Sequence, residues 1–130
     1  RGTTKEGEAR KKRDLSGNGR PNFPATVIRM KEKKVLIPGC GIRLEGLLSV
    51  HEAFPFVKGM IACHPHPLYG GDMLNPVVAA AVETAYEEGF STLRFNFRGV
   101  GESEGAYDEG RGEREDVKSA LDFLWQSSKS

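Results

Sequence analysis

Two apolar runs constrain this chain more than any other feature: VKGMIAC at residues 57–63 and FSTLRFNF at 90–97. Each is too short for a buried helix and too continuously apolar for a strand with one wet face, so each reads as a strand buried on both sides of a sheet. The 26 residues between Cys63 and Phe90 leave room for a helical crossover, the connection that parallel strands need. NPVVAAAVETAYEEG (75–89) supplies that helix. Asn75 caps it, Pro76 takes the first helical position and Gly89 closes it. Its expected apolar stripe is Val77, Val78, Ala81, Val82, Ala85 and Tyr86, with Glu83, Glu87 and Glu88 facing water.

Upstream, ATVIRM (25–30), KKVLIP (33–38) and IRLEGLLSV (42–50) alternate like strands, and the turn Pro38-Gly39-Cys40-Gly41 joins the last two into an antiparallel hairpin. Downstream, EREDVKSALDFLWQ (113–126) is a second amphipathic helix with Val117, Ala120, Leu121 and Leu124 on one side. The succession of strands, helix, strand and helix is that of an α/β fold with a mixed, mainly parallel sheet.

The 130 residues suffice for one core, and 38% hydrophobic with 28% charged residues describes a soluble protein. No apolar run approaches the roughly 20 residues that cross a bilayer, so no membrane role is expected. The sequence shows no signal-peptide core, and two cysteines, Cys40 and Cys63, fit a reducing compartment. A cytoplasmic protein is the expectation. Charge is unevenly spread: residues 1–34 carry +7 and the remainder −6. Residues 1–24 read as a basic flexible tail, and residues 25–130 as the folded part. A basic arm can bind nucleic acid, but Phe23 is the only aromatic residue in this one, so a solvated tail is the better expectation.

Gly101-Glu102-Ser103-Glu104-Gly105 matches G-x-S-x-G, the nucleophile elbow of serine hydrolases. The surroundings contradict the match. An elbow needs a strand running straight into it and a helix leaving at once, whereas Arg98-Gly99-Val100 precede this one and AYDEGRG follows it. Glu102 and Glu104 would oppose an oxyanion. All three histidines, His51, His64 and His66, come before Ser103 rather than after it. Ser103 is therefore read as a decoy. A phosphate loop built on Gly99, Gly101 and Gly105 is set aside because its spacing is one residue too long and it is acidic.

The second constellation is CHPHPLYGGDM (63–73), at the end of a buried strand, where open α/β sheets bind ligands. His64 and His66 have a spacing that suits a metal, with Cys63 and Asp72 as further donors. The alternative gives one histidine to the neighbouring loop and lets Pro65 and Pro67 stiffen the segment. That alternative is preferred, so no metal and no cofactor are expected. Gly70-Gly71 permits close backbone approach and is expected to expose N–H groups suited to an anion.

CHPHPLYGGDM, then TLRFNFRGVGESEG, then GEREDVKSALDFL together resemble the N-terminal half of an α/β-hydrolase, nearest to the dienelactone hydrolase and serine aminopeptidase groups. The resemblance covers roughly residues 30–126. It implies a serine hydrolase of ester, thioester or amide bonds acting on a small acyl substrate. It also implies an oxyanion-hole N–H from the backbone of His66, although Pro65 stands where the family has glycine. His64, Gly70, Gly71, Gly99 and Gly101 would shape the loops, and Arg98 would anchor its loop to Glu115 or Asp116. The elbow, acid and histidine would follow later, so the sheet is expected to be incomplete here, the chain alone inactive, and its open strand edge prone to self-association. Two rivals remain: a metal-dependent hydrolase using His64 and His66, and a non-catalytic binding module with a basic arm.

Overall fold

The computed structural model describes residues 30–52 and 58–129. In chain order it contains β1 (Lys33–Pro38), β2 (Arg43–Ser49), β3 (Gly59–Ala62), a 3-10 turn (Pro67–Tyr69), α1 (Pro76–Glu87), β4 (Ser91–Phe95) and α2 (Arg111–Ser128). The expected tail at 1–24 lies outside the described residues. So does the expected strand at 25–30, apart from Met30.

The four strands form one sheet in the order β1–β2–β4–β3. β1 and β2 are the expected hairpin, with Ile37 opposite Leu44. β2 pairs antiparallel with β4, and β4 pairs parallel with β3, placing Ile61 beside Leu93. The sheet is mixed; the parallel pairing expected to dominate is confined, among the described residues, to β3 and β4.

The two helices cover opposite faces of the sheet, as strand alternation requires. Leu93 and Phe95 point to the face of α2, where Ile37, Leu44, Leu48, Ala120 and Leu124 complete a buried cluster. On the other face Ala62 packs with Val78 and Val82 of α1, flanked by Met30 and Met60. Asn75 caps α1 by accepting the N–H groups of Val77 and Val78 at 2.8 and 3.3 Å, with Pro76 in the first turn.

Both apolar stripes are narrower than the sequence suggests. In α1 the buried positions are Val78, Val82 and Ala85, while Val77 is exposed. In α2 they are Gly112, Glu113, Asp116, Ala120 and Leu124, and Leu121 points to solvent. A helix lying on a twisted sheet buries one row at spacings of three and four, and the adjacent row stays in water. The N-terminal half of the α2 row is polar because it faces a charged loop rather than the apolar core. No described helix is long and apolar enough to cross a membrane.

Candidate active site

The loop after β3 (residues 63–75) and the loop after β4 (96–110) meet at the carboxyl ends of the two parallel strands. The first is fastened to the second strand's exit at both of its ends. At its start, the buried His64 ring accepts the Phe97 N–H at Nε2 (3.0 Å) and lies edge-on to the Phe97 ring at 4.9 Å. An N–H can only donate, so Nε2 is unprotonated and Nδ1 carries the proton, which it gives to the Pro65 carbonyl at 2.7 Å. Both ring nitrogens are therefore spent on the fold, which leaves His64 no lone pair for a metal. No group of three or more candidate metal ligands occurs among the described residues. Cys63 is an exposed residue, yet burial around its thiol pushes its pKa up, away from the thiolate a metal would need.

At its other end, the loop is held through the buried Met73. Its N–H donates to Asn96 Oδ1 at 2.8 Å, and its carbonyl accepts from Arg94 Nη1 at 3.0 Å. Arg94 is itself fixed by a bidentate pair with Glu32. Asn96 then passes the connection on, donating to Glu45 Oε1 at 2.7 Å, and the same oxygen accepts the Glu102 N–H at 2.8 Å. Asn96, Glu45, Arg94 and Glu32 were not singled out in the sequence. The usable signal was an amide, Asn96, within the apolar run RFNF.

Between these anchors the chain turns through His66. Its carbonyl accepts the N–H groups of Tyr69 and Gly71 at 3.1 and 3.2 Å, and its Nδ1 accepts that of Leu68 at 3.1 Å. The His66 N–H itself meets no acceptor among the described residues. The Gly70-Gly71 expectation needs correction. Their N–H groups are not open to an anion, because Gly70 donates to Pro67 O and Gly71 to His66 O. Gly71 is required for a different reason: a Cβ there would lie 2.1 Å from the Pro65 carbonyl oxygen.

Ser103 is buried and serves the backbone. Its Oγ donates to the Asn96 carbonyl at 2.6 Å and accepts the Glu45 N–H at 2.9 Å. Neither partner is a base. Gly99 and Gly101 both have positive φ, 79° and 56°, and a Cβ on Gly101 would collide with Asn96 and Glu45. Glu104 is paired with Arg43 at the surface, its Oε2 accepting from both Nε and Nη2 and its Oε1 from the Arg43 backbone N–H.

Arg98 reaches α2. Its backbone N–H and guanidinium both bind Asp116, with Nη2 to Oδ1 at 2.8 Å. Glu115 takes no part and pairs with Lys118. A Cβ on Gly112 would lie 2.3 Å from the guanidinium, so glycine is what lets Arg98 cross the helix. Beside it, Glu113 accepts the N–H groups of Asp108 and Gly110 at 2.9 Å each. Burial pushes the Glu113 carboxyl up, but these N–H groups, its own backbone N–H and the Arg98 charge outweigh it and hold the pKa below the ordinary value. A carboxyl depressed in the folded state adds stability above its unfolded pKa of about 4.3, and that stability is lost as pH falls through the lower folded value. Glu113→Gln should therefore flatten the decline in urea midpoint below about pH 4.3. Parallel curves for the two proteins would show that Glu113 carries no such linkage.

No family model matches the chain. An uncharacterized protein of Rickettsia prowazekii is 48% identical over 68 residues, covering 52% of this chain and 29% of that protein. Among solved structures, an α/β serine hydrolase homologue from Coxiella burnetii is 42% identical, with a TM-score of 0.68 over 78% of this chain and 49% of the other. An α/β serine hydrolase without a lid from Xanthomonas campestris is 30% identical, with a TM-score of 0.67 over 85% and 49%. The chain is related to the α/β-hydrolase superfamily. This α/β-hydrolase relative spans about half the length of those two structures.

Proposed function

We propose that the protein is a serine hydrolase of ester, thioester or amide bonds, and that this chain contributes its oxyanion side. The observation that carries the reading is the His66 N–H, which meets no acceptor among the described residues and is held in a loop fastened at both ends to the exit of β4. A donor fixed before the substrate arrives stabilises developing negative charge without reorganising, which is how an oxyanion hole accelerates acyl transfer. Pro65 does not disturb this role: it has no N–H to offer, and its carbonyl is occupied by His64. The nucleophile, its acid and its histidine would lie outside the described residues, with Ser103 serving the backbone. The mechanism would then be attack by serine, general-base catalysis by histidine and oxyanion stabilisation at His66. Residues 25–130 would form the first half of the domain, and residues 1–24 a basic tail.

A serine-directed phosphonate tests the assignment. The intact protein is expected to take one equivalent at a serine outside residues 30–129, and Ser103→Ala to label and hydrolyse activated esters as the wild type does. The 130-residue chain alone should show neither labelling nor turnover. Label on Ser103, or a roughly thousandfold loss of turnover in a folded Ser103→Ala protein, would make Ser103 the nucleophile.

A further inference from the structure

We propose that Tyr69, His66 and Tyr107 form a subsite for a planar aromatic group, and that the Tyr107 hydroxyl binds an oxygen of the same ligand. This deepens the proposed function, on which it rests for the position of the scissile carbonyl, by naming esters of aromatic acids as the substrate class.

Three rings from two separate loops are brought together at His66, the residue whose N–H meets no acceptor among the described residues. The Tyr69 and His66 centroids are 5.1 Å apart and tilted by 57°; those of His66 and Tyr107 are 5.3 Å apart and tilted by 47°. Both spacings fall within the range of attractive aromatic pairs. Tyr69 comes from the 3-10 turn after β3, and Tyr107 from the loop after β4. A tyrosine present only to stiffen the turn would be packed on both faces, yet Tyr69 is 87% exposed. Leu68 beside it and Leu74 farther along the loop are exposed as well. An aromatic ligand laid on this row would remove apolar surface from water and gain ring–ring contact together.

The polar half of the proposal follows from proton bookkeeping. The Leu68 N–H donates to His66 Nδ1, so neutral His66 carries its proton on Nε2. That proton faces Tyr107 Oη at 3.2 Å, which makes the tyrosine the acceptor of the pair. Tyr107 therefore keeps its own hydroxyl proton, and no acceptor for it occurs among the described residues. A half-buried donor left over beside an aromatic row suits a ligand that has both a ring and an oxygen.

The test is titration of the intact protein with benzoate and with cyclohexanecarboxylate, which match in charge and nearly in size, followed by calorimetry and amide NMR. Benzoate should bind about fivefold tighter, the scale of one aromatic contact, and shift the His66, Tyr69 and Tyr107 amides. Tyr69→Ala, at a surface position that cannot upset folding, should abolish the preference. Tyr107→Phe keeps the ring and should weaken benzoate by about fivefold, the worth of one hydrogen bond. Equal binding of the two acids, or a preference that survives Tyr69→Ala, overturns the subsite. Turnover of the corresponding methyl esters separates this from the hydrolase assignment. Selective benzoate binding in a protein that cleaves neither ester keeps the subsite and overturns the hydrolase; equal kcat/KM for both esters does the reverse.

Discussion

Replacing Asp116 with alanine should cost about 3–5 kcal/mol of folding stability, the scale for removing one partner of a buried ion pair. Asp116 is 1% exposed, and it accepts from both the backbone N–H and the guanidinium of Arg98. Truncation would leave the Arg98 guanidinium, which is only 17% exposed, without its hydrogen-bonded counter-charge and its N–H without that acceptor. The loss would be a large share of the roughly 5–15 kcal/mol that holds a typical domain. Asp116→Asn keeps the shape and one oxygen acceptor and should cost less than half as much. Urea denaturation measures both, with an unchanged m-value showing that the stability itself has moved. A loss below about 1 kcal/mol in the alanine variant would mean that water replaces the pair at little cost, as it does for exposed pairs.

Asp116 also shows where the sequence stopped being readable. Helix α1 could be drawn nearly to its ends, because Asn75, Pro76 and Gly89 are local signals acting over one turn. The strand around Leu93 was equally plain, since burial on both faces leaves a continuous apolar run. The run around Ile61 also marked a strand, but there only Ala62 is buried and the expected two-sided burial is not met. The face of α2 was harder to read. Apolar periodicity assigns acidic residues to water, so Leu121 was placed inside and Glu113 was passed over, although Glu113 is buried and Leu121 is half-exposed. What turns that face polar is Arg98, which the sequence could offer two acidic partners without choosing between them.

The site divided in the same way. The two loops were located from position alone, at the ends of strands, and Ser103 was read as a structural serine from its flanks. The bonds that hold the loops were not visible. They join Asn96 to Glu45 and Arg94 to Glu32, pairs 51 and 62 residues apart, and no spacing rule in one sequence connects such positions. The Gly70-Gly71 error had a related cause. Glycine predicts that a backbone can approach closely, but not whether the N–H left bare will be taken by a carbonyl three or five residues earlier.

The 130-residue chain on its own should associate through the outer edge of β3. Among the described residues β3 is paired on one side only, with β4. In the fold that the chain resembles, β3 lies between β4 and the strand that carries the elbow, so this edge is an interior position there. An unpaired row of N–H and C=O groups recruits another strand unless charge or a cover protects it. The nearest charge gives little protection, because Lys58 lies over the Phe90 ring and donates to the Glu88 carbonyl at the end of α1. Next to the edge, α2 exposes Leu121 and Trp125, 52% and 55% accessible, with Gly59 and Leu124 lining the same depression. Edge and apolar face together favour a second copy over solvent. Sedimentation should therefore show a dimer or larger species, and Leu121→Lys/Trp125→Lys should shift it toward monomer without loss of helix signal. Amide exchange adds a second reading: β3 amides that face away from β4 should exchange fast after dilution to monomer. A clean monomer at high concentration, with β3 amides protected on both sides, would mean that the sheet is closed by residues outside those described, and the expected self-association would fail with it.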